Sequence, residues 1–375
     1  MESVSFSYEP AKGWSIDSFP ALDSERTWVL AFGAPEFLRD VGPIAELAGA
    51  YPKARVMGCS SAGEIHGGQI RDGSLSVVVM RFSEGHVREC AVEVADGRAS
   101  REVGRSLARG LSAPDLRAVY VLADGLRING SELLAGIHDV IPPDVVVSGG
   151  MAGDGSRFEK TWVIADGKPR PGWVTALGLY GESIRVSHGS RGGWDAFGPE
   201  RVVTRSEGNV LYELDGEPAL ALYKKYLGER AEELPSSALL FPLAIRSADS
   251  NKTVVRTILS VDEARGSMTF AGDIPEGAIV QLMRANFERL IDGAAAASEA
   301  AEAPEGAVTL AVSCVGRRLV LGERAEEEVE AALDSAPKGA SMVGFYSYGE
   351  FAPHGPLECG VLHNQTMTLT RFWEA

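Results

Sequence analysis

Cysteine and basic charge are both scarce in this 375-residue chain. Its four cysteines, Cys59, Cys90, Cys314 and Cys359, form no Cys-x-x-Cys pair, so neither a zinc knuckle nor a thioredoxin-like dithiol is supported and reduced thiols are expected. Lys and Arg number 36 against 52 Asp and Glu, a formal net charge of -16. That balance argues against nucleic acid or an anionic membrane as the main partner, since both reward clustered cations. No apolar run approaches the length of a bilayer span, and the first residues, Met1 to Phe6, carry no basic leader with an apolar core. A cytoplasmic location is expected. Histidines number six, and neither His66 nor His354 sits in a recognisable triad context.

What the chain does have is a pattern that occurs twice. Val56-Met57-Gly58-Cys59-Ser60-Ser61-Ala62-Gly63-Glu64-Ile65 is matched by Met342-Val343-Gly344-Phe345-Tyr346-Ser347-Tyr348-Gly349-Glu350-Phe351. Each copy follows an apolar run, Trp28 to Phe32 or Val308 to Val312, and then a helical stretch. The later helix carries Leu321, Ala325, Val329, Ala332 and Leu333 on one face, with Pro337 and Gly339 as the stop; the earlier one is built on Leu38, Val41, Ile44 and Leu47. Each copy reads as a β-α-β unit whose second strand delivers Gly-x-x-Ser-x-Gly-Glu to a strand end, where α/β proteins hold ligands. The fold class expected is mixed α/β: two domains of mixed β-sheet with flanking helices and an internal β-α-β duplication.

Between the copies the design is echoed by Val145 to Gly155, a third strand ending in glycines and Asp154. Asn129-Gly130-Ser131-Glu132 starts a helix with capping-box spacing. Residues 161–204 alternate as an antiparallel layer does. Asp215-Gly216-Glu217-Pro218 opens a helix closed by Gly228, and the domain boundary is placed there: an N-terminal extension over 1–27, one domain over 28–215 and another over 216–375. A closing strand is expected from Cys359 to Phe372.

Several residues invite a chemical reading. Gly149 and Gly150 before Asp154 lack the rest of a P-loop or dinucleotide fingerprint, so they read as tight turns beside a site for something small and uncharged or zwitterionic. Neither serine motif matches the Gly-x-Ser-x-Gly elbow of a nucleophile. Glu64 and Glu350 either meet a ligand amine or lock their own loops. Cys314 and Arg317 leave the core together, and Arg317 has the geometry to clamp a ligand carboxylate, the alternative being a buried small residue and a solvated arginine. In His363-Asn364-Gln365-Thr366 a polar quartet interrupts a β-prone strand, with His363 and Gln365 alternating against Asn364 and Thr366, so one pair must look inward and find partners. The candidate ligand set is Cys59, Ser60, Ser61, Glu64, Gly149, Gly150, Asp154, Cys314, Arg317, Tyr346, Tyr348, Glu350, His363, Asn364 and Gln365, with no catalytic or metal-binding residues.

These motifs resemble, in order, those of the FIST sensory module. They are Gly58 to Glu64, Gly149 to Asp154, Asn209-Val210-Leu211-Tyr212-Glu213-Leu214-Asp215-Gly216-Glu217-Pro218-Ala219, Gly344 to Glu350 and Leu362 to Thr366. The resemblance runs from about Trp28 to the C-terminus and covers both parts of that module. It implies an intracellular signal-input protein for small ligands such as amino acids, in stand-alone form, passing its signal to a separate signalling protein such as a histidine kinase or cyclic-di-nucleotide enzyme. A subgroup of stand-alone FIST proteins binds haem as nitric oxide sensors that regulate a histidine kinase; that alternative makes His188 or His363 an axial ligand, held without covalent attachment. A third alternative is an enzyme with Cys59 or Cys314 as nucleophile. Glu64, Asp154 or Glu350 are expected to meet a ligand ammonium, and Arg317 or backbone N–H groups its carboxylate.

Overall fold

A computed structural model describes residues 1–94, 99–234, 236–246, 253–355 and 360–375. Three of its sheets share one strand order. Each holds an outer strand, a return strand, a first strand and a second strand side by side, then a hairpin belonging to another unit. In unit I the outer strand is Glu2–Glu9, the first Thr27–Gly33, the second Arg55–Ser60 and the return strand Leu75–Arg81. Unit II uses His86–Glu93, Leu116–Ala123, Val146–Met151 and Trp173–Tyr180 in the same roles, and unit III uses Ile184–Arg191, Val308–Cys314, Ser341–Ser347 and Met367–Glu374. First and second strands run parallel and the return strand antiparallel in every unit.

The hairpin that follows each second strand crosses to a neighbour. Glu64–His66 of unit I pairs with the second strand of unit III; Gly349–Pro353 of unit III pairs with that of unit II; Val163–Ala165 of unit II pairs with that of unit I. The exchange closes a ring. Both faces of the first strands are buried, which is why they read as continuous apolar runs. Trp28, Leu30 and Phe32 meet Tyr120, Leu122, Leu310 and Val312 in one shared core, while Val29 and Ala31 face the helix Gly42–Ala50 of their own unit. At the shared core Trp28 packs edge-on against Tyr120 and Phe372, one residue from each unit. Burying such rings contributes about 2 to 3 kcal/mol apiece.

A fourth, antiparallel sheet is inserted between the outer strand of unit III and its helix Phe287–Ala300. It spans Asp195–Glu207, Val210–Leu214, Leu243–Arg246, Thr253–Arg256, Ile258–Asp262, Ser267–Phe270 and Ile279–Arg284, with helix Ala219–Leu227 packed against it. The mixed α/β class with flanking helices holds, but the sheets do not divide where the sequence pattern suggested. The break at 215/216 falls inside the inserted sheet, because Asp195–Glu207 and Val210–Leu214 pair with each other and with strands downstream. Residues 1–27 are no appendage either, since Glu2–Glu9 pairs along most of its length with Leu75–Arg81. The closing strand is two strands, Gly360–His363 and Met367–Glu374, in different sheets, with the chain turning at Gln365 (φ 63°); Cys359 lies outside the described residues.

Gly58, Gly149 and Gly344 occupy the same place in the three second strands. A Cβ there would meet the carbonyl oxygen of Ala31, Val121 or Ala311 at 2.0, 1.9 and 1.9 Å. Gly344→Ala should therefore destabilise the protein by about 3 kcal/mol or more. Gly49, helical and facing open space, should accept alanine with a gain of up to about 1 kcal/mol. Urea unfolding of the two variants checks this, and equal midpoints would remove the packing argument.

Candidate functional site

The strand-end loops of the three units sit against one another through backbone bonds. Gly153 N–H donates to the Ser60 carbonyl (3.0 Å), Tyr348 N–H to that of Met151 (3.1 Å) and Ala62 N–H to that of Tyr346 (2.8 Å). Clefts open beside these ends, next to the turn that follows each first strand. In unit I a cleft of about 390 Å³ is lined by Ala34, Glu36, Ser61, Glu64, Asp72, Arg157 and Arg318 among others. In unit II one of about 330 Å³ is lined by Gly125 to Asn129, Met151, Asn209, Phe270 and Gly272. In unit III one of about 280 Å³ is lined by Cys314, Val315, Gly316, Leu319, Ser156, Leu239, Thr257 and Ile258. The inserted sheet covers the last two, which share Phe158, Leu259, Ala271 and Tyr348 as common walls.

Phe158 stacks on Tyr348 at 4.5 Å between ring centres, 13° from parallel, in a left-handed backbone conformation (φ 53°). Its loop is held by Asp154, whose carboxylate accepts the N–H groups of Phe158 (3.0 Å), Glu159 (2.9 Å) and Lys160 (2.8 Å) and meets the Tyr348 hydroxyl. Asp154 is thus a loop anchor, its oxygens taken; it borders a small cleft with Glu36 and Arg157.

Glu64 and Glu350 perform one task in two units. Glu64 Oε2 accepts the N–H and hydroxyl of Ser74, both at 3.0 Å; Glu350 Oε2 accepts the N–H (3.1 Å) and hydroxyl (2.8 Å) of Thr366, with Ser347 Oγ on Oε1 (2.8 Å). Ser74 and Thr366 each immediately precede a return strand, so both carboxylates lock their loops. In unit II Asp124 holds the corresponding Gly172 N–H (2.6 Å).

Of the other expected residues, Cys314 and Tyr348 line the covered clefts, and Ser61 and Glu64 line the cleft of unit I. Ser60 Oγ accepts the Trp162 N–H, and Ser61 Oγ accepts that of Gly63. Cys59 is buried in the shared core. Gly149 and Gly150 lie within a strand, not a turn; Gly150 packs where Val312 and Phe345 leave no room for a Cβ. Arg317 clamps no ligand in this geometry: fully buried, it pairs with Glu328 (2.7 Å) and donates to the carbonyls of Leu290, Gly192 and Gln365. Buried carbonyls, rather than solvent, take up its donors, and Tyr346 closes the same network through its hydroxyl on Glu328 (2.7 Å).

The polar quartet is buried throughout. His363 donates from Nε2 to the Ala352 carbonyl (3.1 Å) and stacks on His354 at 5.8 Å; burial, then the charges of His354 and Arg256, push its pKa down to about 3. Both amide atoms of Asn364 and of Gln365 are buried with no hydrogen-bond partner in the protein, and the Gln365 amide lies against Gly316. Neither His188 nor His363 lines any of these clefts, and the His363 ring nitrogen facing Ala352 is occupied. Neither of the two histidines expected as axial ligand is therefore placed to hold a haem in these clefts. Phe158, Leu259, Thr257 and Arg127 were not singled out by sequence; an aromatic in the glycine- and serine-bearing loop after Asp154 was the one visible hint.

Comparison with known proteins agrees with this ordering of motifs. The FIST N domain matches residues 27–217 and the FIST C domain residues 219–353. The chain belongs to the FIST family. FIST domains are sensory domains of signal transduction that bind small ligands. An uncharacterized protein of Methanocaldococcus jannaschii is 25% identical over 281 residues, 67% of this chain and 52% of the relative, so the chain spans about half the length of that relative. A crystal structure of cyanuric acid hydrolase from A. caulinodans aligns over 92% of this chain and 89% of that one, with 11% identity and a TM-score of 0.34. The FIST N and FIST C matches meet within the inserted sheet, which spans the junction between them.

Burial raises the pKa of both Glu64 and Glu350 to about 8, against hydrogen bonds that favour the ionised form. An unfolded glutamate titrates near ~4.3, so between these values the folded FIST protein holds more protons than the unfolded chain. Each glutamate then costs stability as pH rises from about 4.3 to 8. Glu64→Gln/Glu350→Gln should flatten the decline of melting temperature over that interval; an unchanged slope would assign the decline to other groups.

Proposed function

We propose that this FIST protein is an intracellular sensor whose small organic ligand occupies the paired clefts beside Tyr348 and whose bound state is read by a separate signalling protein, such as a histidine kinase or a cyclic-di-nucleotide enzyme. The observation that carries this reading is the clustering of exposed apolar side chains. Four of the seven large ones among the described residues, Leu126, Phe158, Leu259 and Leu319, gather around these two clefts. Apolar surface left open in one concave place is characteristic of a binding site.

The clefts lie between two bodies, which gives binding a mechanical consequence. Thr257, Ile258 and Leu259 come from the inserted sheet; Val315, Leu319 and Tyr348 come from the three-unit ring. The bodies also touch through Arg256 Nη1 on the Leu362 carbonyl (2.9 Å) and Asn129 Nδ2 on Asp273 (3.0 Å). A ligand that touches both sides favours the arrangement that brings them together, and this difference in affinity makes occupancy a signal. A non-enzymatic role fits the thiols: burial pushes the pKa of Cys59 and Cys314 upward, away from the thiolate that a nucleophile needs.

A thermal-shift screen of small metabolites tests the site. A ligand at about a hundred times its Kd should stabilise the protein by about 2.7 kcal/mol, and Leu259→Glu, at an exposed position, should abolish the shift without lowering the unliganded melting temperature. An equal response in that variant would move the site elsewhere.

A further inference from the structure

The charge of the paired clefts specifies the class of ligand, on the reading that the ligand binds there. Among the described residues, those lining them include no aspartate, glutamate, lysine or histidine, and a single arginine, Arg127. The unit III cleft is walled by Leu239, Ile258, Leu259, Val315, Leu319 and Phe158 and contains, among the described residues, no ionisable group other than Cys314 and Tyr348, whose pKa values burial drives upward. Arg127 lies at the other end, exposed and without an ion-pair partner among the described residues. A second cation stands behind that end: a Cβ on the lining Gly272 would meet Arg256 Nε at 2.7 Å.

We propose that the ligand is an apolar carboxylic acid that carries no ammonium group, with its hydrocarbon in the unit III cleft and its carboxylate toward Arg127. An ammonium group buried without a carboxylate or several carbonyl partners loses its hydration uncompensated. The three carboxylates that the motifs offered for it are spent elsewhere. Asp154 holds three backbone N–H groups, Glu350 holds Thr366 and Ser347, and Glu64 faces the unit I cleft. Asp273, next to Gly272 in sequence, accepts from Asn129 and lines the neighbouring cleft beside Arg256. A carboxylate, by contrast, meets a guanidinium suited to bidentate pairing. Thr257 Oγ1, buried and unpartnered on the apolar wall, accommodates a neutral oxygen on the hydrocarbon but no ion.

Titration calorimetry with matched ligands tests this. The probes are L-leucine with 4-methylpentanoate and 4-methylpentanamide, and L-phenylalanine with 3-phenylpropanoate and 3-phenylpropanamide. At least one of the acids should bind more than tenfold tighter than its parent amino acid and its amide. Arg127→Gln, at a surface position, should weaken the acid about tenfold and leave the amide unchanged. An amino acid that binds as tightly as its deaminated acid overturns the inference, as does an Arg127→Gln variant that keeps full affinity for the acid, or failure of all six compounds at millimolar concentration. The sensor reading stands or falls separately: if another metabolite stabilises the wild type and not Leu259→Glu, the cleft remains a sensor site and the carboxylic-acid class alone falls.

Discussion

The exchange of hairpins around the ring is the constraint on which the rest of this structure depends. No unit completes its own sheet, because the hairpin that follows each second strand pairs with another unit's second strand. The strand ends must therefore come together, and they do so through backbone bonds from Ala62, Gly153 and Tyr348. Loops that in an isolated β-α-β unit would be free are fixed from two sides. The parallel strands can approach closely only because Gly58, Gly149 and Gly344 leave their neighbours' carbonyls uncrowded. The clefts are the space left where these loops turn away from the ring.

That constraint explains why the most visible sequence pattern is structural. A carboxylate placed after Gly63 or Gly349 reaches the residue just before the return strand, Ser74 or Thr366, and satisfies its N–H and hydroxyl together. Buried backbone donors need partners, and a sheet that receives its edge from elsewhere has few to spare. Unit II meets the same need from a different place, with Asp124 at the end of the first strand holding Gly172. Identical sequence was not required for an identical structural task, which is why unit II left only an echo in the sequence.

The elements that could be read from sequence are those governed by local patterning. The strands around Trp28, Val119 and Val308 follow from apolar runs, the helix after Asn129 from its cap, whose side chain accepts the Glu132 N–H at 3.1 Å, and the helix ending at Gly228 from that glycine's positive φ. What escaped was decided by distant pairing. Glu2–Glu9 reads as a tail until Leu75–Arg81 is placed beside it, and the His363 to Thr366 segment reads as strand because its alternation carries no sign that the chain changes sheets there. Arg317 looked like a ligand clamp because sequence shows its donors but not Glu328, eleven residues on and equally buried. The cleft residues Phe158, Thr257 and Leu259 come from loops and strand edges brought together by the insertion, and no spacing in the chain announces that.

The insertion also makes the three clefts unequal, and this bears on how a ring of like units becomes a sensor. In unit I the cleft stays uncovered, and its charges are balanced locally by Arg318 with Asp72 (2.7 Å) and Arg157 with Glu36 (2.6 Å). In units II and III the inserted sheet adds apolar walls and leaves Arg127 without a counter-ion among the described residues. Covering two of its clefts with a body attached through the segments around Trp194 and Ala285 supplies a second surface, so that a ligand bound there as proposed touches both bodies. At that junction the Gln365 backbone carbonyl receives the Trp194 Nε1–H (2.9 Å).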